Sequence, residues 1–138
     1  MLFGRISSGG TRISDAWGRG QFGSSRIGHM HQGLDVKAAP GEVIRSPITG
    51  TVTREAKPYA GDSRFKGVVV KGTGDWAGTE VKLFYVQGWL QGRVEKGQPL
   101  GNAQDLSLRY PDITNHVHIE VRQSGLLVDP ATMFGMCF

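Results

Sequence analysis

The chain has almost no cysteine. Its one residue of that type, Cys137, lies next to the C-terminus, so an internal disulfide and a multi-cysteine metal site are both excluded. No apolar run approaches the length that crosses a membrane as a helix. The opening MLFGRISSGGTRIS has no apolar centre of the kind a secretory signal carries, which sets the expectation of a chain made in the cytoplasm or of one whose export segment lies outside this sequence. No run of five or six basic residues and no basic helical face occurs, which argues against nucleic acid as a partner. A 3.6-residue apolar period persists for no more than about two turns anywhere, so a helical bundle is excluded.

What is present is glycine, 21 residues against 6 prolines in a chain of 138. Glycine spread along the whole length marks many tight turns between short strands. The length is that of one domain and can bury a core without staples. The first 13 residues are weakly patterned. The net charge of +4 suits solubility and also attraction to a polyanion.

From residue 34 onward, short apolar runs alternate with turn signals. Leu34–Lys37 precedes a Pro40-Gly41 turn, and Glu42–Ser46 precedes Pro47 and Gly50. Gly50–Glu55 contains the β-branched Thr51, Val52 and Thr53, and Gly67–Lys71 contains three consecutive valines; both read as strands. Tyr59–Lys66 reads as a loop. Glu80–Gln87 and His116–Arg122 complete the strands, and Pro130–Phe134 has room for one helical turn. Trp76 and Trp89 fall in turns, where core or rim packing accounts for them. Regularly spaced short strands predict a mostly β sandwich or barrel.

Two clusters carry chemistry: HQGLD, with His31 and Asp35, and HVHIEV, with His116, His118 and Glu120. Residues two apart on a strand share a face. Val117, Ile119 and Val121 therefore take the core side and leave His116, His118 and Glu120 together on the other, where a polar site gives them a purpose. Four residues of straight strand span about 13 Å, so His31 and Asp35 reach one ion only if the chain bends between them, and Gly33 permits a bend. His31, Asp35 and His118 then form the three-ligand set of a catalytic zinc centre with one position left for water. His116 stands beside that position as a base or orienting group. Glu120 is placed to support a ligand, or to make a structural hydrogen bond. His29 has no place in either pattern.

HQGLD resembles the HxGxD motif of LytM/lysostaphin-type zinc metallopeptidases, and HVHIEVR resembles their HxHFEVR. The likeness extends to Asp15–Arg19, to Ala39-Pro40-Gly41, to Ser46–Val52, to VEKGQPLG at Val94–Gly101 and to Gly125–Pro130. It covers nearly the whole chain from residue 14. It implies an antiparallel β sandwich or barrel of the lysostaphin-type (duplicated hybrid motif) kind with little helix. It implies zinc on His31, Asp35 and His118, a catalytic His116, and cleavage of peptide bonds in bacterial peptidoglycan. GQFGSSRIGHMHQGLD, AKPY, LFYV and YPDITNHVHIE are similar to a chemotaxin branch of the family, whose members bind and signal. Active members carry a further histidine on the strand before the VKKG turn; by alignment Gln87 holds that place here. Gln can hydrogen-bond an oxyanion but cannot take a proton. The expected function is therefore a zinc endopeptidase of the cell wall, carried there by a phage particle or another route. The alternative is a non-catalytic zinc module, for binding or as part of a phage tail or other assembly. A carrier-barrel likeness in SPITGTV and VEKGQPLG lacks the modified lysine and leaves the histidines unexplained.

Overall fold

The structure, a computed structural model, describes residues 2–10, 14–15, 18–19, 25–26, 29–30, 33–89 and 91–134. In chain order the strands are β1 (Ser14–Asp15), β2 (Gly18–Arg19), β3 (Ser25–Arg26), β4 (His29–Met30), β5 (Leu34–Lys37), β6 (Val43–Arg45) and β7 (Gly50–Ala56). There follow β8 (Gly67–Gly72), β9 (Thr79–Phe84), β10 (Val86–Gly88), β11 (Gly92–Val94), β12 (Pro99–Ala103), β13 (His116–Gln123) and β14 (Leu126–Val128). One short helix, α1 (Ala131–Phe134), lies near the C-terminus. No helix among the described residues is long and apolar enough to cross a membrane.

The main sheet runs β11-β7-β8-β9-β13-β14, with β5 also pairing β13, and all its pairings are antiparallel. A second sheet, β10-β12-β6, is antiparallel too. The two-residue strands pair β1 with β2 and β3 with β4.

Strand β13 is the axis of the molecule. One edge pairs β9 along His118–Gln123. The other edge is shared, with β5 along His116–Ile119 and β14 along Val121–Gln123. From His118 onward it is thus flanked on both sides except at Glu120, and its inward residues Val117, Ile119 and Val121 have no solvent exposure. They join Leu34, Val36, Val81 and Leu83 in a continuous core.

Two features depart from the sequence reading. Where alternation predicts one strand across Glu80–Gln87, the chain turns at Tyr85, whose φ is 70°. β10 consequently leaves the main sheet and pairs β12. Residues 2–10, weakly patterned in sequence, are part of the core rather than an appendage. Phe3 and Ile6 are buried. Phe3 meets Trp76 and Phe134 edge-on at 5.4 and 5.2 Å. The segment is tied down by backbone bonds Phe3 N–H to Met133 O, Gly4 N–H to Pro47 O and Arg45 N–H to Ile6 O. It also braces the end of β5: Lys37 N–H donates to Gly10 O, and the Ser7 hydroxyl donates to Lys37 O. Trp76 is a core residue, while Trp89 is 58% exposed.

Candidate metal and catalytic site

Register alone assembles the site. Asp35 on β5 lies directly opposite His118 on β13, and His118 lies directly opposite Phe84 on β9. Directly opposed residues of antiparallel strands share a face, so the three side chains stand in a row. Asp35, His116, His118 and Glu120 are all buried.

His118 is held at both ring nitrogens. Nδ1 is 2.9 Å from Asp35 Oδ1, and Nε2 is 3.0 Å from Glu120 Oε2. The Phe84 ring stacks on it, 5.6 Å between centroids and 17° from parallel. Burial pulls the His118 pKa down, but the hydrogen bonds to Asp35 and Glu120 and the charge of both carboxylates outweigh it and hold it above the ordinary value. Burial likewise pushes Glu120 up, and its bond to His118, with the positive charge of His118, Lys82 and Arg122, brings it below the ordinary value. His116 takes a different posture. Its Nδ1 is 2.7 Å from the Thr114 carbonyl oxygen, which can only accept, so Nδ1 carries the proton. In the neutral ring Nε2 then presents its lone pair, 3.5 Å from Asp35 Oδ2.

Gly33 lies at a bend, as the sequence suggests, and it has a second structural reason. Its φ is outside the left-handed region. A Cβ at this position would overlap the Ile119 carbonyl oxygen and come within 2.8 Å of His118 Nε2. Glycine here allows β5 to lie close against β13.

Of the three expected ligands, Asp35 and His118 are in contact, and His31 lies outside the described residues. Among the described residues no group of three or more His, Cys, Asp or Glu is set to hold a metal ion. The donor chemistry of the two that are described nevertheless fits a cation. With Glu120 accepting the Nε2 proton, a neutral His118 directs its Nδ1 lone pair at a carboxylate oxygen. Two lone-pair bearers at that distance need a proton or a metal ion between them. Asp35 and His118 would hold such an ion between them, and a zinc ion would supply there the positive charge that otherwise only a proton brings. Glu120 is then the carboxylate that fixes the ring's tautomer, as carboxylates behind metal-binding histidines do.

Gln87 is on β10 in the other sheet, opposite Asn102, and exposed. The side chain that meets His116 from the β9–β10 side is Tyr85, whose ring stands perpendicular to the imidazole (88°) at 5.6 Å. His29 is on β4; its side chain is outside the described residues.

Sequence reasoning passed over a cluster beside this site. The chain has three tyrosines, and all three hydroxyls converge: Tyr59 is 2.8 Å from Tyr85 and 2.6 Å from Tyr110. Burial and the neighbouring phenols raise the Tyr59 pKa. Burial pushes Tyr85 up to about 12. The only sequence signal was that each tyrosine lay in a family-like segment.

A profile of Peptidase family M23 matches residues 29–130. Leukocyte cell-derived chemotaxin-2 of the mouse (Mus musculus) is 34% identical over 116 residues, which is 83% of this chain and 74% of that protein. The fold is similar to that of the antimicrobial peptidase lysostaphin from Staphylococcus simulans, with a TM-score of 0.65 and 16% identity over 96% of this chain and 54% of that one. It is also similar to a zinc-containing peptidase from Vibrio cholerae, with a TM-score of 0.61 and 19% identity over 94% of this chain and 39% of that one. The chain thus spans about half or less of these two solved proteins.

Proposed function

This chain belongs to peptidase family M23, and from that premise we propose that it is a zinc-dependent endopeptidase cleaving peptide bonds of bacterial peptidoglycan. The observation that carries the reading is the buried Asp35–His118 pair with Glu120 behind it and His116 beside it. That is a donor set suited to a cation with a base at its side.

Asp35 and His118 would hold the metal, together with His31. Bound there, zinc supplies a Lewis acid that polarises the scissile carbonyl and activates water. The chain's own residues do the rest. Glu120 keeps the His118 Nε2 proton and so fixes the ligating nitrogen. The Thr114 carbonyl fixes the His116 tautomer, so that Nε2 can accept a proton from the attacking water and pass it to the leaving amine. Phe84 covers one face of His118 and keeps bulk water from it. A net charge of +4 favours approach to an anionic wall.

The deciding experiment is muropeptide analysis of purified peptidoglycan incubated with zinc-loaded protein, with His31→Ala as the blank. The expected result is new fragments from the wild type only. Intact muropeptides across several wall types, from protein shown to hold zinc, would reject the reading. The second reading, a zinc module that binds without turnover, is favoured by the 34% identity to chemotaxin-2. Wall retention without cleavage is its signature.

A further inference from the structure

We propose that the cavity beside Trp89 is a binding subsite for one pyranose ring of a glycan strand. The inference rests on the peptidoglycan reading and names a second contact for that substrate, away from the Asp35–His118 pair. The cavity measures about 170 Å³, and its lining includes Val52, Val68, Arg54, Glu55, Trp89 and Gln91.

The cavity opens where the main sheet loses a strand. β11 pairs β7 only as far as Gly92 opposite Val52, so beyond that point β7 has no strand on this edge among the described residues. Trp89, just past β10, borders the gap on a fixed backbone. Its N–H donates to Leu100 O at 3.1 Å. Gly88 before it packs so closely that a Cβ there would come within 2.6 Å of Val68 Cγ1. A single exposed apolar side chain needs no explanation by itself. Packing accounts for the buried Trp76 but leaves Trp89 58% exposed, beside a cavity whose other walls carry unused polar groups.

Those groups select the ligand. Arg54 and Gln91 offer N–H donors, and Glu55 and Gln91 offer acceptor oxygens. Among the described residues the Glu55 carboxylate and the Gln91 amide have no hydrogen-bond or ion-pair partner. The Arg54 guanidinium reaches only the Glu55 carbonyl oxygen, at 3.5 Å. One positive and one negative charge cancel, which suits a neutral ligand rich in hydroxyls better than an ion. The indole adds a flat apolar face whose π-density attracts C–H groups. A pyranose meets both demands, with a rim of hydroxyls around an apolar C–H face. Sites for whole small molecules measure roughly 300–1,000 Å³, so this smaller cavity takes one unit of a longer chain. Its place fits a substrate that joins sugar to peptide. Gly67, also on the lining, is opposite Phe84, which is opposite His118. At about 4.8 Å per strand, Gly67 stands roughly 10 Å from His118. About three residues of extended peptide span that distance.

The test uses the full chain loaded with zinc and the variant Trp89→Ala. The probe is chitotetraose, a β-1,4-linked tetramer of N-acetylglucosamine, followed by calorimetry and by the indole N–H NMR signals of the three tryptophans. The expected result is saturable binding that moves the Trp89 signal most and weakens about tenfold in Trp89→Ala, with Tm and zinc affinity kept. No saturable binding by the wild type, or equal binding by the variant, would overturn the inference. Cleavage gives a second readout, the ratio of kcat/KM for glycan-attached over glycan-free cross-linked peptide. That ratio should fall about tenfold in Trp89→Ala. An unchanged ratio rejects the subsite, because any loss of activity then comes from contact with peptide. Glu55→Ala, which removes an exposed acceptor, covers the case in which Trp89→Ala does not fold. About fivefold weaker chitotetraose binding is expected of it, and no change overturns the proposal. A wild type that cleaves nothing removes the peptidase reading. The subsite is then judged on chitotetraose alone, and absent or equal binding rejects it.

Discussion

Replacing Gly33 with alanine tests whether the close approach of β5 to β13 sets the Asp35–His118 geometry. The residue has no left-handed φ to lose, so alanine is penalised by space alone. Its Cβ would overlap the Ile119 carbonyl oxygen, a backbone atom that cannot rotate away, and would crowd His118 Nε2 at 2.8 Å. Carbon and oxygen need a separation above 3 Å, so β5 must withdraw from β13 by roughly 1 Å at that point. Asp35 is two residues further along, paired to His118, and moves with the strand. Overpacking of this kind costs about 1–3 kcal/mol, which lowers Tm by roughly 3–10 °C in a chain of this size. Displacing the Asp35 carboxylate and pressing on the ring that Glu120 orients should weaken zinc about 10–100-fold, the range seen when a ligand's support is disturbed. Competition against a chromophoric chelator reads the affinity, and scanning calorimetry of the metal-free protein reads the stability. A Gly33→Ala protein that binds zinc and melts as the wild type does would refute the reasoning. It would mean that the strands are not held at that spacing.

Three further perturbations probe other parts of the structure. Phe3→Ala removes a buried ring that meets Trp76 and Phe134. It should cost about 3–5 kcal/mol, or roughly 10–15 °C in Tm, whereas a dispensable N-terminal segment would show no change in denaturant unfolding. Glu120→Gln removes the charge behind His118 and should weaken zinc by about 10-fold or more; equal affinity in the chelator assay would make its hydrogen bond purely structural. Alkaline titration addresses the tyrosines. The Tyr85 pKa is raised on folding from 10.0 to about 12, so the folded state favours the neutral phenol. Its stabilisation is complete below pH 10 and is lost as pH rises through about 12. Tyrosinate absorbance and denaturant midpoints followed together should show Tyr85 ionising late and stability falling across that window, and ionisation near 10 with flat stability would contradict the buried network.

The fold was legible wherever periodicity had a physical cause. The alternation in HVHIEV separates Val117, Ile119 and Val121, all without exposure, from the histidine face because β13 is covered on one side by the core. The three valines of β8 are buried on both faces, as their run implied. Residues 2–10 were illegible for the opposite reason. Phe3 and Ile6 enter the core from an irregular segment, where no period announces burial. The turn at Tyr85 was illegible because a non-glycine residue at positive φ has no sequence mark. Alternation continued through it, although the hydrogen-bonding partner changed from β13 to β12.

The same distinction decides how much of the site could be read. Asp35 and His118 are separated by 83 residues yet placed opposite each other by register, and register follows from which residues each strand must bury. The hydrophobic pattern therefore carries the polar pairing, since Leu34, Val36, Val117 and Ile119 can all face the core only when Asp35 and His118 both face away. Glu120 came with them by parity. The tyrosine row obeys no such rule. Tyr59 and Tyr110 lie outside the strands and reach Tyr85 through side-chain hydroxyls alone, so neither strand period nor ligand spacing could join them. A residue beside a metal site is thus foreseeable when the sheet delivers it and hidden when loops do. It follows that the substitution separating these cases is Tyr59→Phe, which leaves every strand pairing intact. If it changes the response of His116 to a bound tetrahedral anion, the loop-built row is part of the site. If it changes only stability, the site is what the sheet delivers.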